Sequence, residues 1–253
     1  MNTTPPSPRR PLTERRKAAT RLEIARAAAE LFTERGPDAT SAEEIADRAG
    51  VALRTFYRYF RNKHDAVGPL LAVGAERWRA LLAATGPGTP LPEALERTLA
   101  EALAVPVGGS AEGLRRTRAL LRTALRDPAL KAVWYRVNQE SEERLAPVLA
   151  RLAGPGADPL ELRLAAAVAV DALRIGLEVW ALSDAPPGAA GTARGTGGRA
   201  GMGTGEGTGT GTGTGTGRGA SPGTGSPAGP ALRCLRELSG GLRPLAPAPR
   251  ANR

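Results

Sequence analysis

Hydrophobic residues recur every three to four positions through most of the first 182 residues, and no stretch alternates with the period of a strand. In the run 14–35, ERRKAATRLEIARAAAELFTER, Leu22, Ala25, Ala28 or Ala29, and Phe32 share a face, and Gly36-Pro37 stops the run. A second helix opens in TSAEEIADRA, where Ser41 stands three residues before Glu44. That spacing predicts a capping box, which satisfies the first free backbone N–H groups. Ile45 and Ala49 are its inward residues, and Gly50 ends it in the left-handed turn that glycine tolerates. A third, short helix is expected over Leu53–Tyr59 and a fourth, after a break at 61–63, over 65–84. From 91 to 182 nearly everything reads as helix, with breaks near 105–110, 127–128 and 154–159. Ala and Leu dominate and β-branched runs are few, so the expected fold class is all-α.

Composition changes at both ends. Residues 1–13, MNTTPPSPRRPLT, are rich in Pro and polar residues and read as a disordered basic arm. Residues 186–230 carry the core GMGTGEGTGTGTGTGTGRG, whose side chains can form no core; they read as a Gly/Thr-rich disordered linker. Residues 231–253 then begin with ALRCLRELSGGLRPL, expected to make one short helix broken at Gly240-Gly241 before a tail.

The chain carries 35 Lys and Arg against 25 Asp and Glu, a net charge of +10, which favours polyanionic partners with nucleic acid first among them. Only Lys17, Lys63 and Lys131 are lysine, and Ala, Gly and Pro abound. That bias is the kind GC-rich coding produces, so charge alone proves little. One cysteine, Cys234, leaves no internal disulfide framework or cysteine zinc cluster, and one histidine, His64, argues against a histidine metal site or catalytic triad. Catalytic residues, metal and cofactor are all expected to be absent. No apolar run suits a leader or a membrane span, so a soluble cytoplasmic protein without membrane contact is expected.

Aromatic residues number only nine, yet Phe56, Tyr57, Tyr59 and Phe60 fall within five positions, with Arg54 and Arg58 threaded among them. Two short helices joined through Ala49-Gly50-Val51 and preceded by a longer one make a helix-turn-helix, in which Val51 plugs the angle between the helices. Phe56 and Phe60 are four apart and share a face. They can pack inward with Phe32, Ile45 and Val51, while Tyr57 and Tyr59 point elsewhere, where a phenol can reach a phosphate. Arg54, Thr55 and Arg58 supply charge and polar edges on the outer side.

The run ATSAEEIADRAGVALRTFYRYFRNKHDAV resembles the DNA-binding domain of the TetR family of transcriptional regulators. The matching positions are Gly36, Thr40, Ser41, Ile45, Ala46, Ala49, Gly50, Val51, Thr55, Phe56, Tyr57, Tyr59, Phe60 and Lys63. The resemblance implies phosphate contacts from Thr40, Ser41, Tyr57, Tyr59 and Lys63, and base-edge reading by Leu53, Arg54 and Thr55, with Arg54 matched to a guanine. Ala52 departs from the pattern, standing where a capping Ser or Thr is usual. The head would then be residues 14–63, carrying with the arm 13 basic against 8 acidic residues over 1–63. Residues 64–185 would be a helical ligand-binding and dimerisation domain.

Two features of that second domain are candidates for a ligand pocket. Arg118, Arg122 and Arg126 lie four apart beside Arg115, either as a solvated face or, turned inward, as a receiver for an anion. In the apolar helix near 160–182, Asp171, Arg174 and Glu178 form one polar stripe, either at a rim or lining a pocket, and the remainder suits a dimer interface. The function implied is a homodimeric repressor that binds a double-stranded DNA operator and is released by a small-molecule effector. A non-specific architectural DNA binder, and a helical carrier or enzyme with a vestigial helix-turn-helix, are the alternatives.

Overall fold

A computed structural model describes residues 12–86, 88–104, 111–183 and 226–239, and the described residues are helices joined by turns. In chain order they are α1 (Leu12–Arg35), α2 (Ala42–Arg48), α3 (Leu53–Tyr59), a 3-10 turn (His64–Val67), α4 (Gly68–Ala84), α5 (Leu91–Leu103), α6 (Ala111–Arg126), α7 (Pro128–Ala153), α8 (Pro159–Leu182) and α9 (Ala228–Ser239).

Local chemistry explains most boundaries. Gly36, at φ 86°, ends α1. Asp127 accepts from the Leu130 backbone N–H at 2.7 Å to cap α7, and Asp158 accepts from Leu160 N–H at 2.8 Å to cap α8. Both helices follow with a proline at the start, where its missing N–H costs nothing. Three expected boundaries move. Leu12 and Thr13 belong to α1 rather than to the arm. The fourth helix is preceded by the 3-10 turn, set by Asn62, whose side chain accepts from the Asp65 N–H at 2.9 Å. And α9 begins at Ala228, inside the stretch read as linker, with the Ser226 hydroxyl accepting from the Ala228 N–H. Residues 186–225 of that linker, the break at 105–110 and Gly240-Gly241 lie outside the described residues.

The helices α1 to α3 form a head, joined to the body through contacts of α1 with α4, the 3-10 turn and α6. In the body α4 packs on α5 and α7, α6 on α7 and α8, and α9 on α8 and α5. Trp78, Trp134 and Trp180 anchor its core, each at most 2% exposed. The Trp78 indole N–H donates to Thr98 Oγ1 at 2.9 Å and that of Trp134 to Glu178 Oε1 at 2.8 Å, so burial of the rings does not strand their polar edge. At the α8–α9 crossing Gly176 meets Ala231, so closely that a Cβ on Gly176 would lie 2.3 Å from the Ala231 Cα.

Candidate nucleic-acid interface

The head is built on buried Phe32, Ile45, Phe56 and Phe60, none more than 4% exposed. The Phe56 and Phe60 ring centres lie 5.7 Å apart, and half-buried Val51 packs against the core. Between α2 and α3 the chain turns at Gly50, φ 66°, with the Val51 N–H donating to Ala46 O at 2.9 Å. A side chain there would be strained by the backbone angle alone.

Ser41 and Glu44 complete the capping box: the Glu44 N–H donates to Ser41 Oγ at 3.1 Å and the Ser41 N–H to Glu44 Oε2 at 2.7 Å. The Ser41 N–H, with Arg35 adding to it, holds the Glu44 carboxyl below its ordinary range. By contrast Ala52 gives the start of α3 no side-chain cap.

The turn that positions α2 is braced from a distance. The Lys63 ammonium donates to Pro37 O at 2.8 Å and Thr40 O at 2.9 Å. Thr40 is 2% exposed and its hydroxyl donates to Gly36 O at 2.9 Å. The expected phosphate contact from Thr40 is therefore corrected: its hydroxyl closes the turn and faces no solvent. Lys63 spends two of its three N–H donors on the same turn, leaving one for an anion.

Charge is sorted between the two sides of the head. Arg35 pairs with Glu44 at 2.8 Å, and Arg48 reaches both Glu34 at 3.3 Å and Glu30 at 3.6 Å. Among the described residues no carboxylate pairs with Arg54, Arg58 or Arg61, all exposed on or just after α3. Tyr57 is 52% exposed and set edge-on against Phe56 at 5.3 Å. Arg58 lies over the half-buried Tyr59 ring at 5.2 Å, and Arg21 of α1 over Phe60 at 5.6 Å, so the first half of α1 flanks α3. Leu53 and Thr55 are half-buried beside Arg54. One face of α3 thus offers uncompensated guanidinium groups and phenols, fixed from behind by two phenylalanines.

Residues 24–65 match the family model for bacterial regulatory proteins of the tetR family. The chain belongs to the TetR family. Its TetR relatives include the HTH-type transcriptional regulator TcmR of Streptomyces glaucescens, 32% identical over 150 residues, or 58% of this chain and 66% of that protein. The HTH-type transcriptional repressor Rv3405c of Mycobacterium tuberculosis is 39% identical over 39% of this chain and 58% of its own length. The chain therefore matches somewhat less than two thirds of each. A TetR-family regulator of known structure from Mesorhizobium loti is 21% identical, covering 89% of this chain and 98% of that one, with a TM-score of 0.44.

The four candidate pocket residues of this TetR protein fall in two places. Arg118 and Arg122 are not a solvated stripe: Arg118 is 5% exposed and Arg122 half-buried, and both donate to backbone carbonyls at the end of α8. Arg115 and Arg126 are exposed. Asp171 and Arg174 do share a cleft, of about 340 Å³, with Tyr135, Asn138, Gln139, Glu142 and Val170. Burial opposes the charge on Arg174, but Asp171 at 3.0 Å and Glu178 at 3.2 Å outweigh it and raise its pKa. A larger open groove of about 640 Å³ runs between α7 and α8 past Ala146, Pro147, Leu162 and Ala166. Among the described residues, no helix is long and apolar enough to cross a membrane. Sequence reading passed over the tryptophans and the turn brace by Lys63. Only the rarity of lysine signalled the latter.

Proposed function

We propose that this protein is a sequence-specific, homodimeric DNA-binding transcriptional repressor released from its operator by a small-molecule effector. The observation that carries the DNA-binding part is the outer face of α3, where Arg54, Tyr57 and Arg58 stand without acidic partners on a rigid phenylalanine base. Arg54 reads a guanine edge, with Leu53 and Thr55 beside it; Ser41, Tyr57, Tyr59 and the remaining donor of Lys63 hold phosphates. The tight packing behind α3 fixes which side chains reach the groove together, which favours sequence reading over attraction by charge alone.

Dimerisation is supported by α8. Its buried face packs inside the chain, yet Leu160, Leu164, Val179 and Leu182 are 45–64% exposed on the opposite side. With half-buried Val168 and Ile175 they form one stripe, nearly symmetric about Asp171. Two copies laid antiparallel would match apolar ends with apolar ends, as a two-fold interface requires. The repressor role is supported by the mycobacterial relative's name, and the effector by the Asp171–Arg174 cleft beside that stripe.

Fluorescence anisotropy on DNA from upstream of the protein's own gene, at about 150 mM salt with excess random competitor, tests this reading. Binding that survives competitor and is weakened by Arg54→Ala and by Tyr57→Ala is expected. Binding lost equally in all three proteins would indicate a charge-driven binder instead.

A further inference from the structure

The arginines of α6 do more than fill the end of a helix. The last carbonyls of any α-helix lack internal partners and carry partial negative charge. At the end of α8 they are met by two guanidinium groups of α6, four residues apart and so on one face. Arg118 Nε donates to Ala181 O at 3.4 Å and its Nη2 to both Ser183 O and Ser183 Oγ. Arg122 Nε donates to Ala181 O at 2.5 Å and its Nη2 to Ser183 O at 2.8 Å. The Arg118 guanidinium also lies 5.7 Å from the centre of the Trp180 ring. Two planar forks sharing the same two carbonyls restrain rotation and sliding at once, which a single point contact does not.

The place of this clasp gives it a consequence. On one side α6 touches α1, the first helix of the head. On the other, the clasped turn carries Val179 and Leu182, the end of the exposed apolar stripe. We propose that Arg118 and Arg122 are positioning residues that set the separation of the two DNA-reading heads, by locking α6 to the end of the helix through which two copies meet. The proposal rests on the dimeric, DNA-reading assignment above. The pair between Asp65 of the 3-10 turn and Arg136 of α7 is of a different kind, one ion pair on the surface, readily exchanged with water. Loosening the clasp leaves each head intact and lets it swing relative to its partner. Palindrome binding then suffers while recognition of a single half-site does not.

The test is the distance between heads, read by double electron–electron resonance on the full chain with Cys234→Ser and a spin label at Asp47→Cys, an exposed position on α2. Arg122→Lys, and Arg118→Lys with Arg122→Lys, keep the charge and remove the forks. One narrow distance is expected in the clasped parent and a clearly broadened one in both variants, at unchanged dimer mass and helix content. Affinity for a palindrome selected from random DNA should fall about tenfold, with half-site affinity unchanged. Equal widths in parent and folded variants overturn the proposal. Should the double variant not fold, the single variant at half-buried Arg122 decides. No distance between labels in the parent would overturn the dimer itself, and the proposal with it.

Discussion

Gly176→Ala pits two effects of opposite sign against each other. In a helix interior alanine is favoured over glycine by about 1 kcal/mol, so α8 alone should gain from the change. The new methyl, however, would lie 2.3 Å from Ala231 Cα and 2.4 Å from Ala231 N, where a normal contact needs well over 3 Å. Both are backbone atoms, so no rotamer change relieves the clash and α9 must move as a unit. Overpacking of this kind costs about 1–3 kcal/mol when neighbours can shift. The ceiling is release of α9, which forfeits burial of Leu232 and Leu235, worth roughly 3–6 kcal/mol together. A net destabilisation of up to about 2 kcal/mol is expected, within reach of urea unfolding followed by circular dichroism at 222 nm. The same substitution in a chain ending before Pro227 should stabilise, because the obstacle is gone. Stabilisation in the full chain would refute the close crossing of α8 and α9.

Three further outcomes follow from the head and its charges. Ala52→Ser supplies the missing cap of α3 and should raise stability by about 1 kcal/mol in urea unfolding. Lys63→Met leaves Pro37 O and Thr40 O without their donor and should cost about 2–3 kcal/mol, seen as faster hydrogen exchange over 36–48 with the body unchanged. Glu34, Glu44, Glu76 and Glu112 all have pKa values held below the ordinary carboxyl range. Arg48 acts on Glu34, the Ser41 N–H on Glu44 and Arg115 on Glu112, while at Glu76 Arg79 and Arg144 overcome an opposing burial effect. A depressed folded pKa stabilises fully above the unfolded value of about 4.3 and is lost as pH falls through the folded one. The urea midpoint should therefore hold between about pH 7 and 5 and drop by pH 3; a midpoint that rises on acidification would contradict these ion pairs.

Much of the head is written in local chemistry. The Ser41–Glu44 box, the Gly50 turn and the four-residue step from Phe56 to Phe60 each depend on neighbours within a few positions, so periodicity and turn residues reveal them. The helical class and most boundaries in the body follow for the same reason. What the chain order could not reveal is which partner each polar group finds across the fold. Arg118 and Arg122 read as a solvated face or an inward anion receiver, because an i, i+4 arginine pair does not show that its partner is the end of another helix 59 to 65 residues away. The family resemblance makes Thr40 a phosphate ligand, whereas its buried hydroxyl donates to Gly36 O and its carbonyl is held by Lys63, 23 residues on. Glycine is a poor helix former, and only the arrival of α9 makes it a requirement at Gly176. The sequence by itself determined the helical class, the Ser41–Glu44 cap and the aromatic pair behind α3, since these are settled within a turn or two of backbone. Tertiary structure decided which charges are free and which are clasped, since burial and distance between remote segments set that.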